Sequence, residues 1–146
     1  MIYWDTSYLA KLYLREAGTD DVFQSFSGQG GFVCAEHGRV ELLAAFKRNQ
    51  REGLLSAARL KALWEKHEQD QADGLVEYLP LSSPLILHAC QVLLLLPPAI
   101  FLRAGDALHL ACAANAGLKE IYSHDRHLLA AAPHFGLRGI DVIKSP

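Results

Sequence analysis

Apolar and polar positions along this chain fall into short apolar, β-prone runs that alternate with stretches of helical spacing. Met1–Asp5 is a β-prone run that ends in an acid. Thr6 and Ser7 then stand where a helix would be capped, and Leu9, Leu12 and Tyr13 follow at i, i+3 and i+4. Gly18 stops that helix, and Thr19-Asp20-Asp21 opens a second, short one carrying Val22, Phe23 and Phe26. Phe32–Ala35 reads as a second strand. The helix expected after it runs from about Glu36 to Gln50, with Val40, Leu43, Ala44 and Phe46 as its apolar side. Ser56–Gln71 predicts a charged amphipathic helix with the stripe Leu60, Leu63, Trp64 and His67. Leu75–Leu79, between Gly74 and Pro80, predicts a third strand. Two apolar helices are expected over Ser83–Leu96 and about Arg103–Ala116, the latter closed by Gly117. Glu120–Ser123 is a fourth strand, Asp125–Ala131 a short helix and Arg138–Ile143 a fifth strand.

Short strands alternating with helices predict an α/β sandwich on a parallel sheet. With no internal repeat or linker, one domain is expected over 1–146. Ligands of such sheets bind beyond the carboxyl ends of the strands, where strand order reverses. The residues that follow each strand are therefore the ones to inspect.

Composition narrows the field. The chain has 146 residues, is 51% hydrophobic and 21% charged, and carries a formal net charge of −2. These values exclude disorder and argue against non-specific coating of nucleic acid by a strongly basic protein. Cys34, Cys90 and Cys112 are widely spaced and odd in number, so they read as small core residues in a reducing, cytosolic setting. Asp5 interrupts the apolar opening, so a signal peptide is not expected. The apolar stretch Pro84–Leu102 is broken by His88, Gln91 and Pro97-Pro98, too short a run for a membrane span. Ser27-Gly28-Gln29-Gly30-Gly31 lacks dinucleotide-loop spacing, and neither a P-loop nor a G-x-S-x-G elbow occurs.

Four acids stand in apolar company. Asp5 and Asp125 follow strands, Glu41 lies in Arg39-Val40-Glu41-Leu42-Leu43, and Asp106 lies in Gly105-Asp106-Ala107-Leu108-His109. Each alone fits a plainer role: Asp5 and Asp125 as turn or cap residues, Asp106 as a helix cap, Glu41 paired with Arg39 or a lysine on a solvated edge. If the first and fourth strands flank the switch point, all four meet at one sheet edge. Carboxylates gathered there repel one another by roughly 4 kcal/mol per pair at about 4 Å and an effective dielectric near 20, which calls for a cation. Hard oxygen ligands favour Mg²⁺ or Mn²⁺, ions used mostly on phosphates.

On these residues the chain resembles the PIN-domain family, and within it the VapC-type toxins of toxin–antitoxin pairs. The resemblance rests on the opening apolar-Asp-Thr-Ser, on Ser-Tyr-Leu-Ala-Lys-Leu-Tyr at 7–13 and on Arg39-Val40-Glu41-Leu42. It rests also on Asp106-Ala107-Leu108-His109-Leu110-Ala111 and Ser123-His124-Asp125-Arg126-His127-Leu128. It implies a three-layer fold with a five-stranded parallel sheet and a metal-dependent endoribonuclease. Carried over by position, it makes Asp5, Glu41, Asp106 and Asp125 the catalytic, metal-binding acids. Thr6, Ser7 and Ser123 become polar positions able to hold a water or a phosphate oxygen. It implies an RNA substrate, a VapB-like antitoxin as inhibitor and a homodimer. Two features depart from the pattern: His124 stands at a usually apolar position, and Leu93–Leu102 is long and apolar ahead of Asp106.

Lys47, Arg48 and Arg51 can track an RNA backbone or merely complement a helix dipole, and Arg103 fits a pocket ion pair as well as a phosphate contact. His109 reads as a near-core residue, His124 and His127 as edge residues, and Trp4 and Trp64 as core or interface aromatics. Two rivals stay open: an aspartate-nucleophile phosphatase using Asp5, although residue 7 is Ser rather than Asp, and a catalytically idle binding module.

Overall fold

The computed structural model describes residues 1–144, so the last two positions of the expected domain lie outside the described residues. Strands β1 (Ile2–Tyr3), β2 (Phe32–Ala35) and β3 (Val76–Leu79) pair in parallel in the order β1-β2-β3. Strands β4 (Glu120–Tyr122) and β5 (Arg138–Ile140) form a second parallel pair. A parallel bridge between Trp4 and Tyr122 joins the two, and the Asp5 N–H donates to the Tyr122 carbonyl at 3.1 Å. The strands thus run in the order β3-β2-β1-β4-β5, and the order reverses between β1 and β4.

Between the strands lie α1 (Thr6–Leu9), α2 (Thr19–Ser25), α3 (Gly38–Arg51), α4 (Ala57–Ala72), α5 (Ser83–Leu95), α6 (Ala104–Asn115) and α7 (Arg126–Ala131). Short 3-10 turns extend α1 over Ala10–Leu12 and α7 over Ala132–Phe135. All of β2 is buried, and its side chains divide by parity as a strand between two layers requires. Val33 and Ala35 join Leu85, Ala89 and Leu110 of α5 and α6, whereas Cys34 joins Leu9, Leu42, Phe46 and Leu63 of α1, α3 and α4. A third cluster stacks Trp4 on Phe32, ring centroids 3.6 Å apart, beside Tyr8 and Val22.

The cap reading of Asp5 and Asp125 holds, and several other local expectations are corrected. Asp5, not Thr6 or Ser7, caps α1: its backbone is extended and its carboxylate accepts the Tyr8 N–H. Asp125 caps α7 in the same way, but Asp106 lies inside the first turn of α6, whose cap is Arg103. On α3 the buried row is Gly38, Leu42 and Phe46, and Val40 is 71% exposed. Gly38 sets that row, because a Cβ there would come within 2.5 Å of Cys34 Sγ. Only glycine lets α3 seat so closely on β2, and the i, i+4, i+8 line then faces inward. Cys90 is exposed on α5 while Cys34 and Cys112 are buried; all three are free thiols. Arg39 does not pair with Glu41; it donates to Gln71 and lies over the Tyr78 ring.

The long Leu93–Leu102 segment leaves Asp106 in place. α5 ends at Leu95 because Leu96, ahead of Pro97, is held extended. Ile100 and Leu102 then pack on the core and deliver the chain to α6. Among the described residues no helix is long and apolar enough to cross a membrane.

Leu42 is fully buried beside Glu41. Leu42→Ala should lower the free energy of unfolding by about 2–5 kcal/mol, read as a lower urea midpoint with unchanged slope.

Candidate active site

The end of β1, the end of β4 and the first turns of α3 and α6 meet at the strand-order reversal. They enclose a cleft of about 560 Å³ whose lining includes Asp5, Glu41, Asp106 and Asp125. Residues separated by as many as 120 positions in the chain thus share one pocket.

Asp5 sits deepest, 3% exposed. Its Oδ1 accepts from Ser7 Oγ at 2.6 Å and from the Tyr8 N–H at 3.2 Å, and its Oδ2 accepts from Ser123 Oγ at 2.6 Å. Burial raises its pKa above the ordinary aspartate value, against the opposing pull of His109 and of these hydrogen bonds. Ser123 Oγ in turn accepts the Asp125 N–H at 2.9 Å, and Ser7 Oγ accepts the His124 N–H at 3.0 Å. The two serines therefore tie β1 to the β4 loop through one carboxylate.

Glu41 is held differently. Its Oε1 accepts from Thr6 Oγ1 at 2.7 Å and from His109 Nε2 at 2.6 Å. Burial would raise its pKa, but His109 and Thr6 outweigh burial and bring it to about 2. His109 is 1% exposed, and its Nδ1 lies 2.7 Å from the Tyr3 hydroxyl. The Tyr3 hydroxyl also accepts the Ala35 N–H.

Asp106 and Asp125 share a counter-ion. Arg103 reaches Asp106 Oδ2 with Nε at 3.3 Å and Asp125 Oδ2 with Nη2 at 2.6 Å. Asp125 Oδ1 accepts the His127 and Leu128 N–H groups at 2.8 and 3.0 Å. Burial, then repulsion from Asp125, holds the Asp106 pKa above the ordinary aspartate value despite Arg103.

Of the expected phosphate contacts, Arg48, Arg51 and Arg103 line the cleft. Lys47 does not; exposed on α3, it donates to Gln50. Lys11, Glu16 and His37 were not singled out from the sequence. Lys11 is 7% exposed, pairs with Glu16 at 2.7 Å, and both line the cleft. Its only sequence signal is a cation within the apolar run Leu-Ala-Lys-Leu-Tyr. His124 bonds Asp141 at 2.8 Å, and Trp4 is buried core, as read.

The donor set fits a hard dication. Four carboxylates present oxygen ligands, and Asp106 Oδ1 and Glu41 Oε2 carry no hydrogen bond among the described residues. The Arg103 guanidinium lies between two of the acids and supplies positive charge to that side of the cleft.

A family model described as PIN domain matches residues 2–133. The chain is 34% identical over 142 residues to Ribonuclease VapC47 of Mycobacterium tuberculosis, covering 93% of both proteins. Its structure is similar to that of VapC20 of the same species, described as a Sarcin-Ricin loop cleaving toxin. The TM-score is 0.70 at 19% identity, covering 90% of this chain and 95% of that one. It is similar also to FitAB bound to an IR36 DNA fragment, with a TM-score of 0.69 at 14% identity, covering 100% and 98%. These two likenesses concern the fold.

Because the folded state holds a proton on Asp106 above the ordinary aspartate value, ionising it costs stability as pH rises through that interval. In chelator at pH ~7, Asp106→Asn should therefore melt a few degrees above wild type, and the gap should close below about pH 4. Mg²⁺ at roughly millimolar concentration should raise the wild-type Tm and leave the variant nearly unmoved. Thermal scans across pH and metal check both signs.

Proposed function

We propose, from the premise that this chain belongs to the PIN domain family among its VapC-type members, that it is a Mg²⁺-dependent endoribonuclease toxin. The observation that carries this is the convergence of Asp5, Glu41, Asp106 and Asp125 on one cleft walled by Arg48 and Arg51. Its substrate is RNA, its inhibitor a cognate VapB-like antitoxin, its working form a homodimer and its compartment the cytoplasm. The antitoxin and the dimer are carried over from the resemblance to VapC-type toxins.

The four acids would hold Mg²⁺, with Mn²⁺ as the alternative hard ion. When bound, such an ion supplies charge neutralisation at the phosphate and a lowered pKa for the attacking water. The chain's own residues do the positioning. Ser7 and Ser123 fix both oxygens of Asp5, and Thr6 and His109 fix Oε1 of Glu41. Low-entropy ligands of this kind hold their geometry through the reaction. Arg48 and Arg51 draw the RNA backbone to the cleft mouth, and Arg103 neutralises the Asp106–Asp125 side. In the hydrolysis a water oxygen bonds to phosphorus while the bond to the 3′ oxygen breaks, leaving a 5′ phosphate and a 3′ hydroxyl.

The phosphatase alternative requires Asp5 to attack phosphorus. Both of its oxygens accept short hydrogen bonds and the residue is 3% exposed, which suits a held ligand better than a nucleophile.

Asp5→Asn should reduce cleavage at least about a hundredfold and abolish growth inhibition. Sequencing of RNA 5′ ends after induction of wild type and variant reads this directly. Equal new ends from both would overturn the assignment, and ends that persist under strong chelation would remove the metal from it.

A further inference from the structure

His109, on the cleft wall, and His37, the residue before α3, flank Glu41, and both offer nitrogen where the Mg²⁺ set offers oxygen. His109 Nε2 lies 2.6 Å and His37 Nε2 3.7 Å from Glu41 Oε1. The three residues bring one ligand atom each within 4.8 Å of one another, with the imidazole centroids 4.2 Å apart. Zinc–nitrogen and zinc–oxygen bonds of roughly 2.0–2.2 Å put neighbouring ligands of a tetrahedral ion roughly 3.4 Å apart. Opening the 2.6 Å contact and closing the 3.7 Å one are both sub-ångström to ångström adjustments.

Two further features favour binding here. One is the support behind His109: its other nitrogen meets the Tyr3 hydroxyl at 2.7 Å, the outer partner that a metal-binding histidine uses to fix its ring. The other is Gly105. Its φ is not in the left-handed region, so no backbone demand explains a glycine within the first turn of α6, where it costs up to about 1 kcal/mol against Ala. A Cβ at that position would lie 2.9 Å from Glu41 Oε2 and 3.9 Å from His37 Nε2. The missing side chain keeps open the space between the carboxylate and the imidazole.

We propose that His37, Glu41 and His109 form a second cation site, selective for a borderline transition-metal dication such as Zn²⁺. Two imidazoles and one carboxylate suit such ions, whereas an all-oxygen set suits Mg²⁺. On binding, the proton between His109 and Glu41 leaves to solvent. His37 exchanges its contact with the Gly105 carbonyl at 2.8 Å for the ion, and its ring proton then sits on Nδ1, a buried atom without a hydrogen-bond partner among the described residues, which offsets part of the binding. Zn²⁺ here engages the carboxylate that the Mg²⁺ set also uses, so the two ions compete for Glu41. Inhibition of cleavage by Zn²⁺ rests on the nuclease reading; the binding itself does not.

The test uses the full chain stripped by chelator and titrated with Co²⁺ alone, whose visible absorption bands report nitrogen–oxygen coordination. Wild type should show bands that Zn²⁺ displaces and that a large excess of Mg²⁺ does not. His37→Gln, with its thermal melt checked against wild type, should bind Co²⁺ about tenfold or more weakly. Gly105→Ala, which fills the space, should weaken it likewise. His37→Gln should also keep its Mg²⁺-dependent cleavage while losing sensitivity to Zn²⁺. Co²⁺ bands unchanged in His37→Gln, or displaced by Mg²⁺ as readily as by Zn²⁺, would overturn the proposal. Histidine-dependent Co²⁺ binding in a protein without ribonuclease activity would uphold the site and sink the nuclease reading instead.

Discussion

A single carboxylate at the seam between β1 and β4 holds this molecule's working end together. Asp5 caps α1, joins the two sheets through Ser7 and Ser123, and occupies the floor of the cleft. A buried carboxylate without donors would cost several kcal/mol. Hydrogen bonds to a charged group return about 1.5–3 kcal/mol each, which is how an ionisable side chain persists at 3% exposure. The same bonds remove its freedom to rotate, so the group that needs stabilising is also the one most tightly aimed.

Around it, negative charge is distributed rather than cancelled. Glu41 is matched by His109, and Asp106 with Asp125 by Arg103. The matching is uneven. Glu41 is pulled down to about 2, whereas Asp5 and Asp106 stay above the ordinary aspartate value. Asp5 makes no ion pair among the described residues, and the carboxylate oxygens left open at the strand-order reversal are what a dication with a phosphate substrate would engage. The oxygen-rich side and the imidazole side of the cleft meet at Glu41, where hard and borderline ions would compete if both bind as proposed.

Most elements were legible from periodicity, because burial on one or two faces leaves a strong mark. β2 and the spans of α3, α4 and α6 fall close to their expected limits. The errors have local causes. The face of α3 was misread because Val40, Leu43, Ala44 and Phe46 form a plausible stripe, yet contact between Gly38 and Cys34 turns the helix so that Leu42 faces inward. Thr6 and Ser7 looked like caps by residue type, but an acid one position earlier with an extended backbone took that place. Cys90, grouped with the core cysteines by number and spacing, is exposed because only part of α5 is covered.

The sequence by itself determined the alternation of strands and helices, the acids in apolar company and the family likeness they carry, since each is written in short-range pattern or residue type. Only the tertiary structure decided which side chains share a pocket. The pairing of Trp4 with Tyr122 sets β1 beside β4 and brings Ser123 to Asp5. The packing of α6 on β2 brings His109 to Glu41, and Gly105 leaves room for His37 beside them. Contacts across 68 or 118 residues leave no trace in local spacing, because they depend on where the sheet order reverses and how closely the helices approach it.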